Sequence, residues 1–177
     1  YTLWHTLSLH DALPIFFNHA LMKAALFMAL GAVFYRVGSV EIEAMRGLGR
    51  KMPWTMAAFV AGGLSLIGVP LTVGFISKWY LVTGALVKGW WPVAALVMVT
   101  SLIAVVYVWK VVEAAYFHEF PGSEEEGGAL EAPLFLLVPT WALVLVNVYF
   151  GVDASLTSRL AGRAARILLG VDGGMAE

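Results

Sequence analysis

Three runs of the chain, Trp54 to Ser77, Gly89 to Trp109 and Ala132 to Val152, carry no charged residue at all. Each is at least as long as the roughly 20 residues that a helix needs to cross a hydrocarbon core about 30 Å thick. Inside such a core the backbone must satisfy its own hydrogen bonds, which a helix does within a single segment. A fourth run, Phe16 to Tyr35, is equally apolar apart from His19 and Lys23 and reads the same way. The expectation is an all-α integral membrane protein with about four transmembrane helices.

Composition supports that reading. Of 177 residues, 60% are hydrophobic and 13% charged, against about 25% charged in a soluble domain. A net charge of −1 leaves no positive field to hold nucleic acid by its phosphates, so no nucleic-acid partner is expected. There is no cysteine, and the four histidines are scattered, which argues against disulfides, iron–sulfur clusters and metal sites. No glycine-rich phosphate loop or ligand cluster is present, so no cofactor and no redox or hydrolytic chemistry of its own is expected.

The segments between the runs read as water-exposed loops. Arg36 to Pro53 holds Arg36, Arg46, Arg50 and Lys51, and His118 to Glu131 holds Glu119, Glu124, Glu125, Glu126 and Glu131. Alternation of four crossings puts both loops on one side, with Lys88, Arg159, Arg163 and Arg166 on the other, so loop charge alone leaves orientation nearly tied. Pro53 and Pro133 suit the starts of the second and fourth spans, where a missing N–H costs nothing. Trp90 and Trp91 read as interfacial anchors.

The two ends are treated separately. Thr6 to Ile15 reads TLSLHDALPI, which is similar to a translated frame of a common sequencing-library adaptor. Residues 1–15 are therefore taken as an artefact of read assembly or as disordered, and His5, His10 and Asp11 are assigned no role. In residues 153–177, Leu156, Leu160, Ala164 and Ile167 alternate with Arg159, Arg163 and Arg166. That period suits either an amphipathic helix at headgroup level or a frayed basic tail. Gly170 to Glu177 reads as disordered.

Any chemistry must come from ionisable groups held at membrane depth, where they are costly and face a bundle interior or a water-filled cavity. His19 and Lys23 are four residues apart, one turn along one helix face, within reach of a bridging water. As a pair they can pass a proton, since histidine titrates near neutrality and desolvation weakens a lysine's hold on its proton. The structural alternative is that Lys23 snorkels to an interface while His19 bonds a neighbouring helix.

Lys78 lies in GVPLTVGFISKWY, where Pro70 removes a backbone donor and Gly68 and Gly74 loosen the helix on either side. A continuous helix from Trp54 to Lys88 would run about 50 Å, too long for the core, so two half-helices around an unwound middle are expected. Broken helices create ion sites from free carbonyls and half-helix dipoles. Lys78 is placed near the positive end of the second half-helix, which disfavours its charged form. A Pro-kinked structural helix, with Lys78 reaching an aqueous edge, is the competing reading. Lys110 and Glu113, three apart near the end of the third span, are either an interfacial ion pair or the lining of an exit to the aqueous side.

Three stretches carry a resemblance: FFNHALMKAALFMALGAVFYR, GLGRKMPW and GGLSLIGVPLTVGFISKWYL. From Phe16 to about Phe117 the chain resembles the antiporter-like membrane subunits shared by respiratory complex I and Mrp-type cation/proton antiporters. These show the His-x-x-x-Lys pair, the GLG-R/K-x-x-P loop and a discontinuous helix with GxP and GFxxK. The resemblance implies that Lys23 is the family's connecting lysine, His19 its helix partner and Lys78 a terminal proton site, with Arg36 to Pro53 cytoplasmic. It further implies a relay of protons along a hydrated midplane axis. The implied partners are other membrane subunits, the lipid bilayer, protons and Na+ or K+, and the implied location is the bacterial cytoplasmic (inner) membrane.

Such subunits have about fourteen helices in two inverted repeats, so residues 16–152 are expected to be the C-terminal part of a larger antiporter-like domain. Lysine rather than glutamate at position 78 argues against the M-type subunit of complex I, and the short segment after Val152 against the L-type. The N-type subunit of complex I and the D-type subunit of the Mrp antiporter remain, with GFISKWYLVTGAL slightly closer to the latter. The competing hypothesis from another class is a scaffold subunit whose buried charges only fix helix packing.

Overall fold

The computed structural model describes residues 2–120 and 130–153. The amphipathic helix expected within residues 153–177 and most of the acidic loop lie outside that range. Helix α1 spans Thr2–Val37, and within it Pro14–Val37 is long and apolar enough to cross a membrane. A 3-10 turn at Glu43–Met45 and the short helix α2, Leu48–Lys51, follow. Then come α3, Pro53–Ile67, and α4, Val73–Val87, each of 15 residues. Helices α5, Trp91–Phe117, and α6, Leu134–Val152, are two further candidate spans. The described residues are thus helical throughout their regular structure, as composition predicts.

The expected break in the second crossing is present. At 1.5 Å per residue α3 and α4 are each about 22 Å long, short of the core thickness, so together they make one interrupted crossing. Helix α3 opens with Pro53 in its first turn and stops at Gly68, whose φ of +92° is left-handed. The Gly68 N–H bonds the Leu64 and Ser65 carbonyls, both at 3.0 Å, and Val69 N–H bonds Leu64 O at 3.1 Å. This is a helix stop closed by glycine. Pro70 and Leu71 carry the chain across, and Leu71 itself sits at φ +72°, a conformation that strains a branched side chain. Thr72 bonds Val69 O through its hydroxyl at 2.6 Å and introduces α4. Gly74 lies in the first turn of α4, outside the unwound stretch.

Helix α1 packs between α3 and α6, and α5 lies against α3 and α4. Two glycines record how closely the other elements approach the break. A Cβ on Gly74 would overlap the Ser65 carbonyl oxygen, and one on Gly151 of α6 would overlap Leu71 O and the Thr72 backbone. By contrast, Gly31 on α1 and Gly84 on α4 face open space, with nothing within 4 Å of a Cβ built there.

The main apolar core sits at the loop-bearing end, where Leu26, Ala29, Val33, Leu48, Met52, Met56 and Ala115 come together. Glu131, by sequence one charge of an acidic loop, joins the helix ends there. Its carboxylate accepts the backbone N–H groups of Trp54 at 2.8 Å and Thr55 at 3.2 Å, together with the Thr55 hydroxyl. It therefore caps the start of α3, whose first N–H groups lack helical partners and whose dipole favours a negative charge. The Glu131 carbonyl in turn accepts Arg36 Nε at 2.8 Å, tying in the end of α1. The end of α1 and the start of α3 thus meet at Glu131, at one end of the bundle.

Candidate functional site

Helix α4 carries Lys78 back toward the end of α3. Its ammonium donates to Ile67 O at 2.7 Å, Leu66 O at 2.9 Å and Ser101 Oγ on α5 at 2.7 Å. The two carbonyls belong to the last turn of α3, where no helical N–H reaches them. Position along the chain predicts this charge at the positive end of α4. The side chain is long enough to fold over Gly68 instead, so the ammonium rests on the negative end of α3. A Cβ on Gly68 would stand 3.0 Å from Lys78 Cδ, so the glycine that stops α3 also leaves the lane that Lys78 occupies.

Behind this lysine lies a buried polar cluster that spacing within any one helix could not reveal. Asn18 of α1 donates to Ser77 Oγ at 2.9 Å, and Ser77 donates to Val73 O at 3.1 Å. Ser65 of α3 donates to Asn147 Oδ1 of α6 at 2.7 Å and accepts Gly74 N–H at 3.4 Å. One asparagine therefore grips each half-helix, and both half-helices meet at Gly74. Asn18 Oδ1 and Asn147 Nδ2 are buried and lack a hydrogen-bond partner among the described residues.

Two clefts open on this assembly. One, of about 270 Å³, is lined by His19, Ser77, Lys78, Thr100, Leu66 and Tyr107 among others. The second, of about 240 Å³, is lined by Lys23, Phe27, Phe59, Val108 and again by Leu66 and Tyr107. Each has room for several water molecules, at about 30 Å³ apiece. The structure thus brings His19 and Lys78 to one cleft and opens Lys23 into its neighbour. Lys110 and Glu113 are exposed on α5 and line neither cleft. Sequence reasoning missed Asn18, Ser65, Ser101, Asn147 and Tyr107. The available signal was weak: single polar residues inside otherwise apolar runs.

Comparison with known proteins shows the family of the chain. A family model described as "NADH:quinone oxidoreductase/Mrp antiporter, TM" matches residues 4–104. The NADH-quinone oxidoreductase subunit N of Desulforudis audaxviator (strain MP104C) is 41% identical over 157 residues, 83% of this chain and 31% of that protein. The D-type subunit of the Na(+)/H(+) antiporter of Bacillus subtilis (strain 168) is 27% identical over 164 residues, 92% of this chain and 32% of the other. The chain thus spans about a third of the length of these relatives. Among solved structures, a chain of the Mrp complex from Dietzia sp. DQ12-45-1b superimposes with a TM-score of 0.71 at 23% identity. That match covers 93% of this chain and 38% of the other, and it establishes a shared fold. On the family match and the relative from Desulforudis audaxviator together, the chain belongs to the membrane-subunit family shared by NADH:quinone oxidoreductases and Mrp antiporters.

Proposed function

We propose that this chain forms the proton-conducting C-terminal part of such a subunit, with His19, Lys23 and Lys78 passing protons along a hydrated path at membrane depth. The observation that carries the reading is the placement of Lys78. Its ammonium is held by three neutral oxygens at a helix break and shares a cleft with His19. No carboxylate lines that cleft among the described residues, so the charge is held by neutral oxygens and not by an ion pair, with His19 as the other basic side chain lining the same cleft. Lys23, one helical turn from His19, supplies the next station.

The larger assembly is a membrane complex of the oxidoreductase or the Mrp antiporter type, in a bacterial cytoplasmic membrane, with other membrane subunits as partners. The higher identity with an N-type subunit supports the oxidoreductase branch, in which protons are the cargo. In the antiporter branch Na+ or K+ would move as well.

The test is Lys78→Ala and Lys23→Ala in the complete subunit, within its complex, reconstituted into vesicles. Driven proton uptake is expected to fall about tenfold or more in each, with the complex assembled at wild-type level. Uptake that survives both substitutions, or falls only in step with assembly, would instead support the scaffold reading, in which the buried charges do no more than hold helices in register.

A further inference from the structure

The oxygens that hold the Lys78 ammonium are not alike. Leu66 O and Ile67 O are backbone carbonyls, which accept and never donate, whereas Ser101 Oγ on α5, at 2.7 Å, is a hydroxyl that can do either. Ser101 also donates to Val97 O, one turn back in its own helix, at 3.0 Å. That carbonyl carries a second hydroxyl, Thr100 Oγ1 at 2.9 Å, besides the N–H that helix geometry brings to it from Ser101. The Ser101 hydroxyl can therefore turn away from Val97 and leave no carbonyl unpaired. We propose that Ser101 is a positioning residue for Lys78: it accepts from the ammonium, donates to the neutral amine, and so holds the side chain over Gly68 in both protonation states. The proposal rests on the relay reading given above.

The requirement follows from counting donors. A protonated lysine has three N–H groups, and the structure offers them three oxygens. The neutral amine has two N–H groups and a lone pair. Its N–H groups stay on Leu66 O and Ile67 O, because a carbonyl has nothing to give a lone pair. The lone pair then faces Ser101 Oγ, and rotation of one hydroxyl hydrogen completes the set. No heavy atom has to move between the two states. With an oxygen at position 101 that could only accept, the amine would keep two bonds and turn its lone pair against a third acceptor. With an apolar side chain there, the ammonium would be left with a donor that has no partner.

The other polar side chains around the cleft do not fill this place. Ser77 accepts from Asn18 and donates to Val73 O, and Thr100 donates to Val97 O. The titratable groups lining the cleft with Lys78 are His19 from α1 and Tyr107 from α5, while α3 and α6 contribute none. Among the described residues, Ser101 is the one hydroxyl bonded to the ammonium. A lysine that swung away on losing its proton would have to be brought back before it could be charged again. One that is bonded in both states exchanges its proton from a fixed place, which is the positioning that proton transfer requires.

The experiment uses the complete subunit in its complex, reconstituted into vesicles, and reads driven proton uptake per assembled complex. Ser101→Thr keeps the hydroxyl, and Ser101→Val has the shape of that variant without it. Uptake is expected to stay at the wild-type rate in the first and to fall about tenfold in the second, the change that loss of one hydrogen bond to a charged group brings. Thr100→Val removes the neighbouring hydroxyl, which bonds the same carbonyl as Ser101 but not Lys78, and should keep the wild-type rate. Should Ser101→Val fail to assemble, Ser101→Ala makes the same comparison with Ser101→Thr. Equal rates in the two Ser101 variants, whether high or low, overturn the role of the hydroxyl. A fall in Thr100→Val as deep as that in Ser101→Val overturns it too, since the effect would then belong to α5 and not to the contact with Lys78. Uptake that persists in Lys78→Ala instead removes the relay on which the proposal stands.

Discussion

At the loop-bearing end of the bundle, Met45, Leu48, Met52 and Met56 are all exposed by 2% or less; at the α3/α4 break, the side chains buried to the same degree include Asn18, Ser65 and Asn147. Helices α1 and α3 run through both regions, so the contrast lies in what the helices are given to bury. The loop end is apolar and closed by Glu131, whose carboxylate oxygens both carry bonds. The break is polar, is flanked by two clefts, and leaves one amide oxygen and one amide nitrogen over. A membrane gives little apolar drive to helix association, since lipid tails are as apolar as leucine, and close packing and buried hydrogen bonds take over. The comparison teaches that one end of the bundle holds its shape by apolar packing while the other is organised around buried hydrogen bonds between polar side chains.

That contrast can be broken deliberately. The largest effect is expected at the break, where Gly74→Ala drives a Cβ into the Ser65 carbonyl. Backbone must move against backbone, so a loss of more than about 3 kcal/mol is expected, read as lost assembly or a collapsed melting temperature in detergent. Gly31→Ala is the paired control, because the same methyl group meets open space and should be neutral or stabilising by about 0.5 kcal/mol. At the packed end, Met52→Ala empties a fully buried site and should cost about 3 kcal/mol by thermal denaturation, with the clefts and their chemistry unaffected. Equal damage to uptake per assembled complex would show that the two regions are not separable.

Smaller effects sharpen the comparison. Glu131→Ala uncaps α3 and should cost about 2 kcal/mol, with Glu131→Gln intermediate, because the amide keeps one acceptor but loses the charge at the helix start. Faster amide hydrogen exchange at Trp54 and Thr55 would report the loss directly. Smallest of all is the Asn18–Ser77 bond. A double-mutant cycle of Asn18→Ala and Ser77→Ala should return a coupling of about 0.6 kcal/mol, the average for hydrogen bonds between membrane helices. A coupling of several kcal/mol would mean that the polar cluster is itself the main fastening of the break.

Much of this architecture is legible in the sequence, for identifiable reasons. Charge-free runs longer than a bilayer crossing, Pro53 at a helix start, and the pairing of Gly68 with Pro70 are local signals that act within a few residues, and each lies where the chain is expected to start, cross or break. Lys78 stands out because a lone charge in an apolar run is conspicuous. What it touches is not legible, since a four-carbon stem reaches either helix end and the choice depends on the lane over Gly68. Glu131 caps a helix whose first residues lie 77 and 76 positions away, and no local pattern encodes such a contact. Asn18 and Asn147 are in the same position: each finds its serine on a different helix. Leu66 and Tyr107 are harder still, because apolar and aromatic residues are what a membrane helix is made of.

The open space at Gly31 and Gly84 has a practical side. The chain contains no cysteine, so a single Gly84→Cys on α4, or Gly31→Cys on α1, gives one thiol for a spin label or fluorophore at a point where nothing else stands within 4 Å. The first would ride on the helix that bears Lys78, the second on the helix that bears His19 and Lys23. A labelled pair would turn the distance between those two helices into a spectroscopic signal, followed while the complex turns over, without disturbing the side chains at the break.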